Sequence, residues 1–196
     1  MDVLLPESLL NSTQSYLELL DRWNRTHALT SLPEGERFEE LILDACALLP
    51  HLGFLGTRAR IVDFGSGMGI PSVVLALARP DLEIVALDKS RKKVAFVRQV
   101  ALELELKNLR AIAARAEELE PLEAQMGVAK AVGSPKLLSE WWERHGRSGA
   151  PFLALKSDTW VQETLPGQEW ALVSHPYHLP TRGQRVILEM RKRTGP

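Results

Sequence analysis

The sequence has little of what marks a secreted or membrane-bound protein. It holds one cysteine, Cys46, in 196 residues, so no internal disulfide can form. Cys46 lies in the apolar run Leu41 to Leu49 and reads as a small buried hydrophobe. Cysteine and histidine do not cluster at metal-ligand spacing. His27, His51, His145, His175 and His178 are scattered, so no metal is expected. No uninterrupted apolar run approaches the roughly 20 residues that cross a bilayer. Met1 to Glu7 lacks the basic start and long apolar core of a secretory leader. A cytoplasmic location without a membrane partner is expected. An excess of positive charge is missing too, because the formal net charge is -1. Proteins that grip long duplexes by counterion release are ordinarily basic. Any RNA site must therefore be a local patch. There is no internal repeat, linker or low-complexity tract.

What is present reads as one globular unit, residues 1–196. Apolar residues make up 45% and charged residues 25%, and the length suits a single sizeable core. Residues 1–55 read as a helical extension and 56–196 as the main body. Leu9, Leu10, Tyr16, Leu17, Leu19, Leu20 and Trp23 recur at helical spacing. Asn24 to Pro33 is a polar connector, and a second helix is expected from Glu34 to Leu52. Ala59–Phe64, Leu82–Leu87 and Leu109–Ala113 read as strands, alternating with helices Pro71–Arg79 and Lys89–Leu106. This alternation predicts an α/β fold, a mostly parallel sheet with helices on both faces. A weaker fourth strand, Gly127–Val132, precedes a helix Pro135–His145 and a fifth strand Pro151–Lys156. Trp170–Ser174 and Gln184–Met190 read as a closing antiparallel pair around a proline-rich turn.

The chemistry concentrates in Asp63-Phe64-Gly65-Ser66-Gly67-Met68-Gly69. Glycines between a strand and a helix let the backbone turn sharply and approach a ligand closely. The spacing is GxGxG. The dinucleotide fingerprint GxGxxG would need a glycine where Ile70 stands. Pro71 then removes an amide donor that a pyrophosphate would use. Asp88 ends the second strand, at the sheet edge beside the glycine turn, where a carboxylate can accept both hydroxyls of a ribose. One ribose without a pyrophosphate points to S-adenosylmethionine. Arg115-Ala116-Glu117-Glu118 follows the third strand and could flank the adenine.

With these motifs in place, the chain resembles the RsmG, or GidB, family, which makes N7-methylguanosine in small-subunit ribosomal RNA. The resemblance covers nearly the whole chain. Leu19 to Thr30, with its Trp23-Asn24 pair, is similar to the family's N-terminal helix. Leu43 to Pro50 resembles its second helix. Asp63 to Pro71, Leu87 to Ser90, Lys92 to Phe96 and Arg115 to Glu118 resemble its cofactor motifs, and Pro176 to Pro180 with Arg185 to Lys192 its closing strands. The resemblance implies a Rossmann-like class I methyltransferase fold. It implies a cofactor pocket at Gly65, Ser66, Gly67, Gly69, Asp88, Ala116 and Glu117, with Asp63 ahead of the loop. It implies 16S ribosomal RNA or the small subunit as partner.

Five positions depart from the family. Leu41 stands for a histidine, Ala45 for a serine, Gly127 or a neighbour for an aspartate, Lys130 for an arginine and Ser157 for a glycine. Four of the five are expected on the side where an RNA base would enter.

Guanine N7 presents a lone pair at neutral pH, so alignment and electrostatics suffice and no base is required. Lys130 and Lys156 are the candidate catalytic side chains, holding base or phosphate oxygens. Pro71, Lys92, Lys93 and Arg185 are candidate RNA contacts. Lys89 to Lys93 forms one basic cluster, and Arg182, Arg185, Arg191, Lys192 and Arg193 a second. Trp141-Trp142 could contact a protein partner or pack inside, since adjacent helical residues point about 100° apart. Two functions stay open: an active guanine-N7 methyltransferase, or a divergent paralogue that binds without catalysis. A methyltransferase with another acceptor is a third.

Overall fold

Runs such as Ile61-Val62-Asp63-Phe64 and Ile84-Val85-Ala86-Leu87 are buried on both faces, as strands in the middle of a parallel sheet must be. The computed structural model describes residues 3–193. Its strands are β1 (Arg60–Phe64), β2 (Glu83–Asp88), β3 (Leu109–Ala113), β4 (Met126–Lys130), β5 (Phe152–Ser157), β6 (Trp170–Leu179) and β7 (Gly183–Lys192). They form one sheet in the order β3-β2-β1-β4-β5-β7-β6. The first five are mutually parallel, and β7 runs antiparallel between β5 and β6. This is a Rossmann-like α/β architecture, as the alternation of strand and helix predicts.

The order has a direct consequence. From β1 the chain winds outward through β2 to β3, then returns to place β4 on the other side of β1. Such a reversal opens a crevice at the carboxyl ends of β1 and β4, the standard ligand position in open α/β sheets. Among the described residues the α-helices are α1 (Leu10–His27), α2 (Glu34–Arg37), α3 (Asp44–Cys46), α4 (Ser72–Ala78), α5 (Arg91–Glu103) and α6 (Pro135–His145). Ser90 caps α5 and Ser134 caps α6, each side chain accepting from a backbone amide in the first turn.

The N-terminal segment shares the core on one face of the sheet. Thr13, Tyr16, Leu19 and Leu20 form the buried stripe of α1, and Tyr16 and Trp23 pack on Phe96 of α5. Asn24 clasps the backbone of Thr30 with both ends of its amide, at 3.0 and 2.9 Å, as Ala28 leaves the helix in a left-handed conformation. That clasp accounts for the asparagine in the Trp23-Asn24 signature.

Three expectations are corrected. The helix read from Glu34 to Leu52 is interrupted by a π-helical stretch, Phe38–Leu43, and finishes as a 3-10 turn at Leu49–Leu52. The wider π turn buries Leu41 and Ile42 while Glu39 and Glu40 reach the β6–β7 hairpin. The tail strands are ten residues each, so Pro176 lies within β6 and not in a turn. β6 is an edge strand, and such strands tolerate a missing ladder donor. The fourth strand ends at Lys130, and Ala131 turns away with a positive φ.

Candidate active site

The loop after β1 is built for close approach. Gly65, Gly67 and Gly69 all have positive φ, at 69°, 57° and 88°. The amides of Gly65 and Ser66 donate to Leu87 O at 2.8 and 3.0 Å, tying the loop to β2. Asp88 closes the arrangement. Its two oxygens accept from Gly67 N at 2.9 Å and Ser90 N at 2.8 Å. One carboxylate thus fixes the glycine turn and the start of α5 while facing the cavity. From below, the buried Tyr16 hydroxyl donates to Met68 O at 3.2 Å, so the N-terminal helix props the loop.

A cavity of about 490 Å³ opens beside this turn, within the size range of small-molecule sites. Of the expected cofactor residues, Gly65, Asp88, Ala116 and Glu117 line it. Asp63, Ser66, Gly67 and Gly69 shape the strand end and loop around it. The far wall is aromatic. Trp141 stacks on Phe64 with centroids 5.9 Å apart and donates to Glu117 at 2.8 Å. The bond from its own backbone amide, and then the one from Trp141, hold Glu117 below the ordinary carboxylate range. Trp142 is 2% exposed and donates to Ala150 O at 3.0 Å. The tryptophan pair therefore splits between cavity wall and core.

Glycine turn, ribose-height carboxylate and flat aromatic wall fit an adenosine cofactor such as S-adenosylmethionine. The buried Ser66 hydroxyl, without a protein partner among the described residues, adds an unused polar group at the same turn.

Asp63 is wholly buried. Its Oδ2 accepts from the Ser72 hydroxyl at 2.6 Å and the Ser72 amide at 3.2 Å. It braces α4 and does not face the cavity. Burial raises its pKa to about 7, against the bonds from Ser72 and helped by the charge of Asp88. The native state therefore holds a proton that the unfolded chain releases near pH 4. The stability this gives is complete below about pH 4 and is lost as pH rises to about 7. Asp63→Asn should flatten the stability profile in that window by up to about 1.4 kcal/mol per pH unit. Urea unfolding at several pH values reads this directly, and parallel profiles for the two proteins would refute the assignment.

A second cavity, also about 490 Å³, lies beside the first. Val132, just past β4, lines both. A Cβ on Gly65 would sit 2.6 Å from Val132 Cγ2, so glycine loop and shared wall are already in contact. Lys130, Lys156 and Arg185, singled out from sequence, all line this second cavity. None is a free cation. Lys130 pairs with the buried Asp44, which also accepts from the Tyr177 hydroxyl. Lys156 pairs with Glu163 at 2.7 Å and donates to Gly133 O at 2.6 Å. Arg185 pairs with Glu40 at 3.1 Å. The sequence reading missed Asp44, Glu40, Glu163 and Tyr177 as site residues. A lone acid within the apolar stretch Leu41 to Leu49 was the available signal for Asp44, because a buried carboxylate demands a partner.

Other assignments separate. Lys93 lines the first cavity, with Lys89. Lys92 turns away and donates to His27 O at the C-terminus of α1, where a cation suits the helix dipole. Pro71 is buried as the N-cap of α4 and lines neither cavity. Of the basic tail group, Arg182, Arg185, Arg191 and Lys192 are ion-paired.

The five family departures are also redistributed. Lys130 and Ser157 line the second cavity, whereas Leu41 and Ala45 are core residues. Gly127 sits under Phe152 and Trp142, where a Cβ would come within 2.3 Å of the phenyl ring.

Comparison with known proteins agrees with this architecture. Residues 9–184 match the family model GidB, described as rRNA small subunit methyltransferase G. A protein of Bordetella pertussis named ribosomal RNA small subunit methyltransferase G is 33% identical over 92% of this chain and 84% of its own length. One of the same name from Methylobacillus flagellatus is 39% identical over a shorter stretch, 60% of this chain and 56% of that protein. Among solved structures, a SAM-dependent methyltransferase from Aquifex aeolicus superposes with a TM-score of 0.59 at 15% identity, over 79% of this chain and 92% of that one. A protein of echinomycin biosynthesis reaches 0.62 at 15% identity, over 90% and 92%. At that identity the structural likenesses speak for the fold alone.

Proposed function

Because the chain belongs to the family of rRNA small subunit methyltransferase G proteins, we propose that its paired cavities carry methyl transfer to N7 of a guanine in 16S ribosomal RNA. The chain is an S-adenosylmethionine-dependent methyltransferase. The observation that carries the assignment of roles is the shared wall. The first cavity fits the cofactor, the second is open to a substrate, and Val132 separates them by one side chain.

S-adenosylmethionine, when bound, supplies an electrophilic methyl group on a positively charged sulfur. Gly65, Gly67 and Gly69 would let the backbone approach it, Asp88 would accept from the ribose hydroxyls, and the Trp141 and Phe64 wall would hold the flat base. In the second cavity no side chain has to remove a proton, because guanine N7 carries its lone pair already. Positive charge passes to the purine during transfer. Glu40, Asp44 and Glu163 line the same cavity, each paired with a cation of that cavity, so its fixed charges are balanced. Lys130 and Lys156, held on two of those carboxylates, offer donors to the guanine edge or a neighbouring phosphate. Lys89 and Lys93, at the mouth of the first cavity, are placed to meet RNA phosphate.

The test is methylation of small subunits, and of naked 16S RNA, from cells lacking this modification. Labelled methyl should appear as 7-methylguanosine on nucleoside analysis. Cofactor binding without transfer to either acceptor would favour the non-catalytic reading. Label in another nucleoside would favour a different acceptor.

A further inference from the structure

The edge of the sheet where β4 and β5 begin holds a second chemical cluster, away from both cavities described above. His51 comes from the 3-10 turn Leu49–Leu52, His175 from β6 and Glu189 from β7. Glu189 pairs with Val173 and Leu153 in the sheet. His175, two residues along from Val173, therefore shares its face as a diagonal neighbour. His175 Nε2 lies 2.8 Å from Glu189 Oε2. The two imidazoles meet edge to face, with centroids 4.8 Å apart. One nitrogen from each histidine and one carboxylate oxygen all fall within 4.8 Å of one another. All three residues are half-buried, and His51 and Glu189 border a cavity of about 200 Å³.

We propose that His51, His175 and Glu189 form a three-ligand site for a divalent transition-metal ion of the zinc class. Two imidazoles and one carboxylate suit zinc, cobalt or nickel, with remaining positions filled by water. The absence of thiolate ligands disfavours copper(I), and magnesium or calcium prefer an all-oxygen shell. One charge opposes binding. Arg191 donates to Glu189 Oε1 at 2.5 Å, leaving Oε2 toward His175. The ion would replace the proton between His175 and Glu189. It would join the N-terminal segment to the closing hairpin, which no disulfide can do in a chain with one cysteine.

The experiment uses tag-free full-length protein titrated with cobalt(II), whose visible absorption reports nitrogen and oxygen coordination. Zinc is then followed by calorimetry and competition. Expected are one ion per chain, displacement of cobalt by zinc, and a melting temperature that rises with zinc. Loss of an outer-shell partner costs a metal site about 10–100-fold. Loss of a direct ligand in His51→Ala, His175→Ala or Glu189→Gln should therefore weaken affinity at least tenfold. Arg191→Ala should tighten it, an effect that a purely structural role for these residues would not produce. Unchanged S-adenosylmethionine titration serves as the folding control. No stoichiometric binding by wild type at 0.1 mM metal, or equal affinity in His175→Ala and Glu189→Gln, would overturn the proposal.

Discussion

Alanine in place of Gly65 should weaken S-adenosylmethionine binding at least thirtyfold, and two independent costs add to give that figure. Gly65 has a φ of 69°, and an L-residue held in the left-handed region loses about 1–2 kcal/mol. The new methyl group would lie 2.6 Å from Val132 Cγ2 and 3.0 Å from Cγ1, and overpacking of this kind costs about 1–3 kcal/mol. The loop is held by the Leu87 carbonyl on one side and Val132 on the other, so relaxation must move a cavity wall. Gly67 is the internal control. Its φ is 57°, but an added Cβ would meet nothing closer than Gly65 O at 4.0 Å. Gly67→Ala should therefore bear the backbone strain alone and bind about tenfold more weakly. Adding Val132→Ala to Gly65→Ala should recover part of the loss. Calorimetric titration with S-adenosylmethionine measures all four proteins. Binding by Gly65→Ala within threefold of wild type would show that Val132 moves freely and is no rigid wall.

Asp44→Ala should lower stability by about 3–5 kcal/mol, the usual result of removing one partner from a buried ion pair. Asp44 is 2% exposed, and its two oxygens are divided between the Lys130 ammonium and the Tyr177 hydroxyl. Without the carboxylate, the Lys130 ammonium and the buried Tyr177 phenol lose their shared partner. For a chain of this size each kcal/mol shifts the melting temperature by about 2–4 °C, so a drop near 10 °C is expected by calorimetry. The double variant Asp44→Leu, Lys130→Met removes both charges and should lose much less, because apolar replacement of a whole buried pair is often neutral. Cofactor affinity should survive in the double variant, since neither residue lines the first cavity, while RNA methylation should fall. If Asp44→Ala melts within 2 °C of wild type, the pair is solvated and contributes little.

The cofactor half of the site could be read from sequence because its parts are local. Strand, glycine turn and helix follow each other directly from Asp63 to Ala78, and each step has its own residue preference. Asp88 was placed correctly because a parallel neighbour puts its last residue at the same edge as the first strand's. The tryptophan pair shows the limit of such reasoning. A 100° separation requires Trp141 and Trp142 to face different ways, but only the packing of Phe64, Phe152 and Glu117 decided which went inward. The acceptor half was read less well. Lys130, Lys156 and Arg185 do share one cavity, yet their carboxylate partners come from distant parts of the chain. Departures such as Gly127 and Ala45 looked functional and proved to be matters of packing volume.

The sequence by itself determined the alternation of strand and helix, the glycine turn and the acid at the end of β2. All of these depend on residues within about one turn or one strand of each other. Only the tertiary structure decided that β7 inserts between β5 and β6, that a π turn carries Glu39 and Glu40 to the hairpin, and that Asp44 takes charge of Lys130. It alone brought His51, His175 and Glu189 together. The reason is the same in each case. Such groups lie far apart along the chain, and they meet only when burial of the two faces of the sheet has fixed where each strand must lie.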